Sequence, residues 1–225
     1  IITNGYIDNS HELADELYKE GQSFSEVSNG SVNLTELTAK MIMRGKTITE
    51  GIEDMFSRIK GSCTLLLLHK EGIYAARDKH GYSPLIIGSR GDDWAVTTET
   101  AAFHNLGFKV KKEIQPGEIV LIEEGGLKPK TKPGKINQIC SFLWIYTGFP
   151  ASSYQGINVE MARENSGRLL AKNDPVKVDM AAGIPDSGTA HAIGYAMESG
   201  VPFRRPLVKY TPGFDRSYTP PSQAR

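Results

Sequence analysis

Cysteine is scarce in this sequence. Cys63 and Cys140 are the only two in 225 residues, which excludes a disulfide-stapled scaffold and fits a reducing, cytoplasmic setting. An excess of one charge is lacking too. Lys and Arg number 26 against 26 Asp and Glu, so nothing points to nucleic acid or an anionic membrane as partner. No apolar run approaches the roughly 20 residues that a membrane helix needs, which rules out membrane insertion. No signal-peptide pattern is present, and the chain opens on Ile1 rather than Met and stops abruptly at Arg225. It is therefore expected to be an internal segment of a longer protein. What remains, 39% of it hydrophobic, is ordinary globular sequence with room for one large or two modest domains.

The first third reads as helical. Asn9 or Ser10 is placed as an N-cap, with Glu12 at a capping-box position, Leu13 and Leu17 as the apolar stripe and Gly21 as the stop. A second helix is predicted from Asn33 to Arg44, with Leu34, Leu37 and Met41 on one face. A third opens with Thr47-x-x-Glu50 and carries Ile48, Ile52, Met55 and Ile59 before Gly61. From Cys63 to Ile122 the pattern changes to β: CTLLLLH, IYAARD, PLIIG, WAVTT and EIVLI alternate with glycine-containing turns. Connections this short make the strands antiparallel. Apolar residues on both faces of LLLL and LII call for cover on both sides, by a second sheet or by the helices.

Residues 123–138 are rich in Gly, Pro and Lys and read as an exit from this domain. Domains are therefore expected at 1–135 and 136–225. The second opens with a strand-like CSFLWIYTGFP and a helix from Asn158 to Ala171. Then comes the stretch that carries most of the chemistry, VDMAAGIPDSGTAHAIGYAMESGVPF, from Val178 to Phe203. Its apolar start, Val178 to Ile184, suits a buried parallel strand, and Thr189 to Ser199 suits a helix closed by Gly200. Ile193 and Met197, with Ala190 and Ala196 beside them, would form the face that packs on a sheet. Between strand and helix, Pro185-Asp186-Ser187-Gly188 offers unpaired backbone N–H groups, a carboxylate and close approach. That combination suits a phosphate or pyrophosphate with its magnesium. Asp186 or Ser187 acting as a plain helix cap is the competing reading.

A family resemblance adds to these readings. IPDSGTAHAIGYAMESGVPF is similar to the pyrophosphate loop of the amidophosphoribosyltransferases, the glutamine–phosphoribosylpyrophosphate (PRPP) amidotransferases of purine synthesis. LVKYTPGFDRSYTPPSQAR resembles that family's mobile loop at Lys209, Arg216, Pro221 and Gln223, given one inserted residue. TNGYIDN resembles the HNGNLVN of glutamine amidotransferases with an N-terminal nucleophile. RDKHGYSPLIIG, TTETAAFHNLG and CSFLWIYTGFPASS resemble further segments of the same family, in the same order along the chain. The implied fold is an α+β glutaminase of the N-terminal-nucleophile class, helices layered on antiparallel sheets, followed by the start of an α/β type I phosphoribosyltransferase domain.

The resemblance implies roles residue by residue. Asn4 and Gly5 match the pair that forms an oxyanion hole for glutamine hydrolysis, where the residues alone would read as a turn dipeptide. Asn29, in Ser28-Asn29-Gly30-Ser31, stands where the family has an Asp that holds the glutamine α-amino group. Its amide lacks the charge that strengthens such a bond. Asp186, Ser187 and Gly188 match the pyrophosphate site, with Ser187 as a candidate ligand to Mg²⁺. Lys209 and Arg216 would neutralise the departing pyrophosphate, or are ordinary solvated charges. Thr100 sits where some members have a cysteine ligand, so no iron–sulfur cluster is expected. The nucleophilic Cys would precede Ile1, leaving Cys63 as a buried strand residue and Cys140 as an unactivated thiol. The implied substrates are glutamine and PRPP, with purine nucleotides as inhibitors and a homo-oligomeric assembly. The competing readings are a non-catalytic or regulatory paralogue, motivated by Asn29, Thr100 and the altered junction at Leu143, Phe149 and Ala151, and an amidotransferase with another acceptor.

Overall fold

A computed structural model describes residues 1–210. They fall into two compact units, residues 1–141 with 151–156 and residues 142–150 with 157 onward. Arg216, Pro221 and Gln223 lie outside the described residues.

The first unit is built on one long strand. In order it comprises β1 (Ile2–Ile7), α1 (Ser10–Lys19), a hairpin of β2 (Val27–Ser28) and β3 (Ser31–Val32), then α2 (Leu34–Ile42) and α3 (Ile48–Arg58). There follow β4 (Gly61–His69), β5 (Gly72–Arg77), β6 (Ile86–Arg90), β7 (Asp93–Thr97), α4 (Ala101–Leu106), β8 (Lys109–Glu113), β9 (Ile119–Glu123) and β10 (Gly126–Pro129). The main sheet runs β1-β4-β5-β9-β10 and a second runs β7-β6-β8. Every pairing in them is antiparallel; the two-residue connections of β4–β5, β6–β7 and β9–β10 require it there, while β1–β4, β5–β9 and β6–β8 join strands far apart in the chain.

Alternation along β4 places the layers. Cys63, Leu65 and Leu67 pack with Leu17, Leu37, Met41, Ile52 and Met55 of α1 to α3. Leu66 points the other way, to a core of Ala75, Leu85, Ile87, Ile114 and Val120 shared with the second sheet. Both kinds of cover anticipated for LLLL are thus present, one on each face. Phe103 of α4 is buried against Gly88 on β6.

Local capping explains most helix boundaries. Asn33 accepts from the N–H groups of Thr35 and Glu36, and Thr47 Oγ1 accepts from Glu50 at 3.1 Å. The capping box expected for α1 is not formed. Asn9 turns its side chain to the α3–β4 junction instead, donating to the Arg58 carbonyl at 3.1 Å and accepting from Lys60 N–H at 2.8 Å. Joining two distant segments satisfies buried polar groups that a cap would leave unpaired.

The second unit departs from the sequence reading in three places. CSFLWIYTGFP is no strand: Leu143–Thr147 form a turn of π-helix, closed by Gly148 N–H on the Leu143 carbonyl at 2.7 Å. Its free carbonyls are taken by the buried Arg163, from α5 (Val159–Asn173), which donates to Trp144 and Gly148, each at 2.8 Å. Val178 to Ile184 is not a buried strand either. Ala181 alone forms a parallel bridge, to Phe203, while Val178, Met180 and Ile184 are exposed. A parallel strand is stabilised by neighbours on both sides, and among the described residues Ala181 has one.

The third departure concerns α6 (Gly188–Ser199), which ends at Gly200 in the left-handed region as expected. Of the expected face Ala190 and Ala196 are buried, together with Ala192 and Gly194, while Met197 is exposed, and the helix packs on α5 rather than on a sheet. A Cβ on Gly194 would overlap the Glu164 carbonyl, and one on Gly167 would overlap the His191 carbonyl. The helices cross backbone to backbone. Gly194→Val should therefore destabilise this unit by about 3 kcal/mol, the upper range for overpacking, because a carbonyl cannot change rotamer to make room. Urea unfolding followed by circular dichroism measures it, with Met197→Val on the exposed face as the control expected to shift stability by under about 0.5 kcal/mol.

Candidate functional site

Asn4 and Gly5 lie mid-strand in β1, opposite Thr64 and Cys63 of β4, and not in a turn. Among the described residues β1 has a neighbour on one side only, so alternate N–H groups along it face away from the ladder. Gly5 has φ 149°, and a Cβ there would overlap the Ser62 carbonyl. Only glycine lets the edge strand lie this close to β4. Asn4 is exposed and shares a face with Thr64, whose Oγ1 donates to the Ser83 carbonyl at 3.2 Å. An exposed carboxamide beside outward N–H groups is a set of donors that can receive a developing oxyanion.

Two buried neighbours hold this edge in place. Asp78 is 1% exposed; its Oδ2 accepts from Cys63 N–H at 3.2 Å, and its Oδ1 from His80 and Gly81 N–H at 2.8 and 2.9 Å. Arg77, wholly buried, donates to the Ile114 carbonyl at 2.7 Å and the Gly81 carbonyl at 2.6 Å. Burial pulls its pKa down, and the charges of Glu113 and Asp78 oppose that shift. The RDKHG segment is thus a clamp inside the unit. Burial, then the Asp78 charge, pushes the Cys63 thiol up to about 12, so it holds almost no thiolate.

Asn29 is the first residue of a tight turn. With Gly30 it forms the tip of the β2–β3 hairpin, both residues at positive φ and exposed. Such a two-residue loop prefers Asn-Gly for its backbone, which accounts for the pair locally. The residue that reaches β1 is Thr35, in the first turn of α2, whose Oγ1 lies 2.6 Å from Thr3 Oγ1. Thr3 and Asn4 are successive and point to opposite faces. Beside Thr35, Glu36 accepts from the Ser25 and Glu26 N–H groups, and the Ser25 bond above all holds its carboxyl below the ordinary range. The sequence reading passed over Thr35 and Glu36, although Asn33-x-x-Glu36 has the spacing of a helix start.

Thr100 is also structural. Its Oγ1 accepts from Ser153 N–H at 2.8 Å, and Ala101 N–H donates to Ser152 Oγ at 3.2 Å, tying residues 152–153 to the start of α4. Cys140 is half-buried and donates its N–H to the Tyr82 carbonyl at 3.1 Å.

In the second unit, the turn at Pro185-Asp186-Ser187 leads straight into α6 at Gly188. The Ser187 hydroxyl caps nothing. Asp186 turns its carboxylate to Lys209, Oδ2 to Nζ 3.4 Å, so two of the anticipated residues stand together. Neither side chain serves as the helix cap that the sequence left open. Gly183 is held by contact, since a Cβ there would lie 2.5 Å from the Gly188 carbonyl. Gly188 is open, its nearest atoms to a Cβ being 3.7 Å away. Two of the N–H groups at this helix start are not unpaired as the sequence reading expects: Gly188 donates to the Ile184 carbonyl at 2.9 Å and Thr189 to the Asp186 carbonyl at 3.2 Å, which closes the turn on itself. What can receive an anion is the field of the helix N-terminus, the bare approach at Gly188 and the lysine beside the turn. Among the described residues no cluster of three or more His, Cys, Asp or Glu is placed to hold a metal.

Residues 1–105 match the glutamine amidotransferase domain family. The chain is 36% identical, over 98% of its length, to an amidophosphoribosyltransferase of Bacillus subtilis, and 33% identical over 93% to one of Archaeoglobus fulgidus. It covers 46% of each, so it spans about half the length of the curated relatives it matches. A solved structure of the B. subtilis glutamine PRPP amidotransferase, complexed with ADP and GMP, superposes with a TM-score of 0.86 at 36% identity. That match takes in 99% of this chain and 48% of the other. The allosteric regulatory enzyme of purine biosynthesis gives the same TM-score, 0.86, at 35% identity. Sequence and fold agree on what this chain resembles: the amidophosphoribosyltransferases over nearly its whole length, with residues 1–105 matching the glutamine amidotransferase domain.

Proposed function

We propose that the chain serves an amidophosphoribosyltransferase of purine synthesis. Glutamine and water give glutamate and ammonia at one site; ammonia then displaces pyrophosphate from C1 of PRPP at the other, giving 5-phosphoribosylamine. The observation that carries this reading is the open turn at Asp186 to Gly188 before α6, with Lys209 beside it, in a chain that aligns with such enzymes over 98% of its length.

In the first half-reaction, Asn4 and the Gly5 N–H take up charge on the tetrahedral intermediate. The nucleophile of this chemistry is a Cys whose own α-amino group is the base, a role closed to the internal Cys63 and Cys140. Asn29 is the point in favour of a non-catalytic paralogue, because the exposed hairpin tip offers the glutamine amino group no carboxylate. In the second half-reaction, the α6 N-terminus and Lys209 bind the pyrophosphate, with Arg216 as the second cation assigned to it by the resemblance. Asp186 and Ser187 offer the hard oxygen atoms that Mg²⁺ takes alongside substrate phosphates. The ion would screen the phosphate charge; binding and orientation fall to the turn itself. A cytoplasmic homo-oligomer inhibited by purine nucleotides completes the proposal.

Two measurements test it in the full-length protein. Asn4→Ala should lower glutamine-dependent turnover by about 10²-fold or more while turnover with free ammonia survives. Equal loss of both activities, or no activity of the parent protein with either nitrogen source, would sink the assignment of the first site. Gly188→Val should weaken PRPP binding by at least about 10-fold in calorimetry, because the new side chain meets the ligand and not the protein. Unchanged affinity, with an unchanged unfolding midpoint, would reduce the turn to a helix start.

A further inference from the structure

The first unit holds a cleft of about 490 Å³ that neither half-reaction uses. It meets β4 at His69, while Asn4 pairs with Thr64. Those five residues of strand put roughly 17 Å between the two places. The cleft is bounded by the α2–α3 loop, the first turn of α3, the β4–β5 turn and Lys130 just past β10.

Its charge is one-sided. Lys46, Lys70 and Lys130 reach it from three separate elements, and Glu71 is its single acid. Glu71 is already engaged: it accepts from the Tyr74 hydroxyl at 2.7 Å and faces His69 Nδ1 at 3.6 Å. Its carboxyl is held below the ordinary range by the Tyr74 bond first, then by the charges of His69, Lys130 and Lys70. His69 Nδ1 itself is buried and has no hydrogen-bond partner among the described residues.

The backbone adds to this field. Thr47 Oγ1 takes the Glu50 N–H and the Thr47 carbonyl takes the Gly51 N–H, leaving the Ile48 and Thr49 N–H groups at the positive end of an 11-residue helix. The opposing end of α2 is neutralised, because its last carbonyls already accept from Met43, Arg44 and Gly45. The remaining wall is apolar: Met43, Ile48 and the Tyr74 ring.

We propose that this cleft is a binding site for a small phosphorylated molecule, with the phosphate between the three lysines and the α3 N-terminus and its non-polar part on Met43, Ile48 and Tyr74. Ammonium groups from three directions suit a multiply charged tetrahedral anion, whereas a planar carboxylate is better met by an arginine fork. The volume is that of a small-ligand pocket, and a chain of zero net charge has no broad basic field for a nucleic acid. The proposal is independent of the PRPP site.

Pyridoxal 5′-phosphate is the probe, applied to the full-length protein. Its aldehyde condenses with a lysine Nζ, releasing water, and borohydride reduces the imine to a stable secondary amine that peptide mass spectrometry locates. Lys46, Lys70 or Lys130 should be labelled about 10-fold faster than other exposed lysines and about 10-fold faster than by pyridoxal, which lacks the phosphate, a difference of roughly 1.4 kcal/mol. Inorganic phosphate should protect them. Thr49→Asp should abolish the preference, since it puts a carboxylate in the cleft at a helix position that tolerates acids. Labelling no faster than with pyridoxal, or unchanged by Thr49→Asp, overturns the proposal. So does phosphate-dependent labelling confined to Lys209, which would assign phosphate recognition to the Asp186 turn alone.

Discussion

Two adjacent buried charges hold the first unit together. Arg77 ends β5 and Asp78 follows it, and neither is more than 1% exposed. Moving such ions out of water costs several kcal/mol each unless every polar atom finds a partner. Asp78 finds its partners in the β4 backbone and in the turn at His80 and Gly81. Arg77 finds two at Ile114 and Gly81, with Glu113 of the second sheet 3.8 Å away, while its Nε has no hydrogen-bond partner among the described residues. The pair therefore fixes one sheet to the other. Because Asp78 grips Cys63, which faces Gly5, it also sets the strand on which the proposed oxyanion hole rests. Removing one partner of such a pair costs about 3–5 kcal/mol, far more than a surface ion pair is worth.

A second constraint recurs in both units: backbone laid directly on backbone. Gly5 against Ser62, Gly183 against Gly188, and Gly167 and Gly194 across two helices each leave no room for a Cβ. Close contact of this kind forfeits side-chain burial but fixes position to within a bond length. At Gly5 and Gly183 it sets donor groups where chemistry is proposed. At Gly167 and Gly194 it only packs helices, so a bare backbone is not in itself a mark of function.

The two proposed sites differ in how much the protein prepares in advance. At Asn4 the donors sit on a paired strand backed by a buried core, which suits stabilisation of a charge that appears only in the transition state. At Asp186 the side chains are exposed and Lys209 occupies the carboxylate, an arrangement worth little in energy and easily exchanged for a more highly charged partner. A polyanionic substrate can take that lysine without the protein losing much.

Local features were legible in the sequence because their causes are local. Asn33 and Thr47 cap the helices they precede, and Gly200 ends α6. The apolar runs of β4 and β6 declare strands covered on both faces, since residues two apart must share a side. The order of motifs from Asn4 to Lys209 was enough to find the proteins this chain resembles. Tertiary structure alone decided the rest. Asn29-Gly30 and Asn4-Gly5 are the same dipeptide, yet one tips a hairpin and the other lies flat in an edge strand. What separates them is the neighbour, Ser62 pressing on Gly5, and no local propensity encodes it. Val178 to Ile184 has the composition of a buried strand and lacks the partners; Leu143 to Thr147 has that composition too, and Arg163, some twenty residues on, takes its carbonyls and winds it into a turn. Hydrogen bonds and excluded volume between residues far apart in the chain chose those conformations, and a sequence read in order does not contain them.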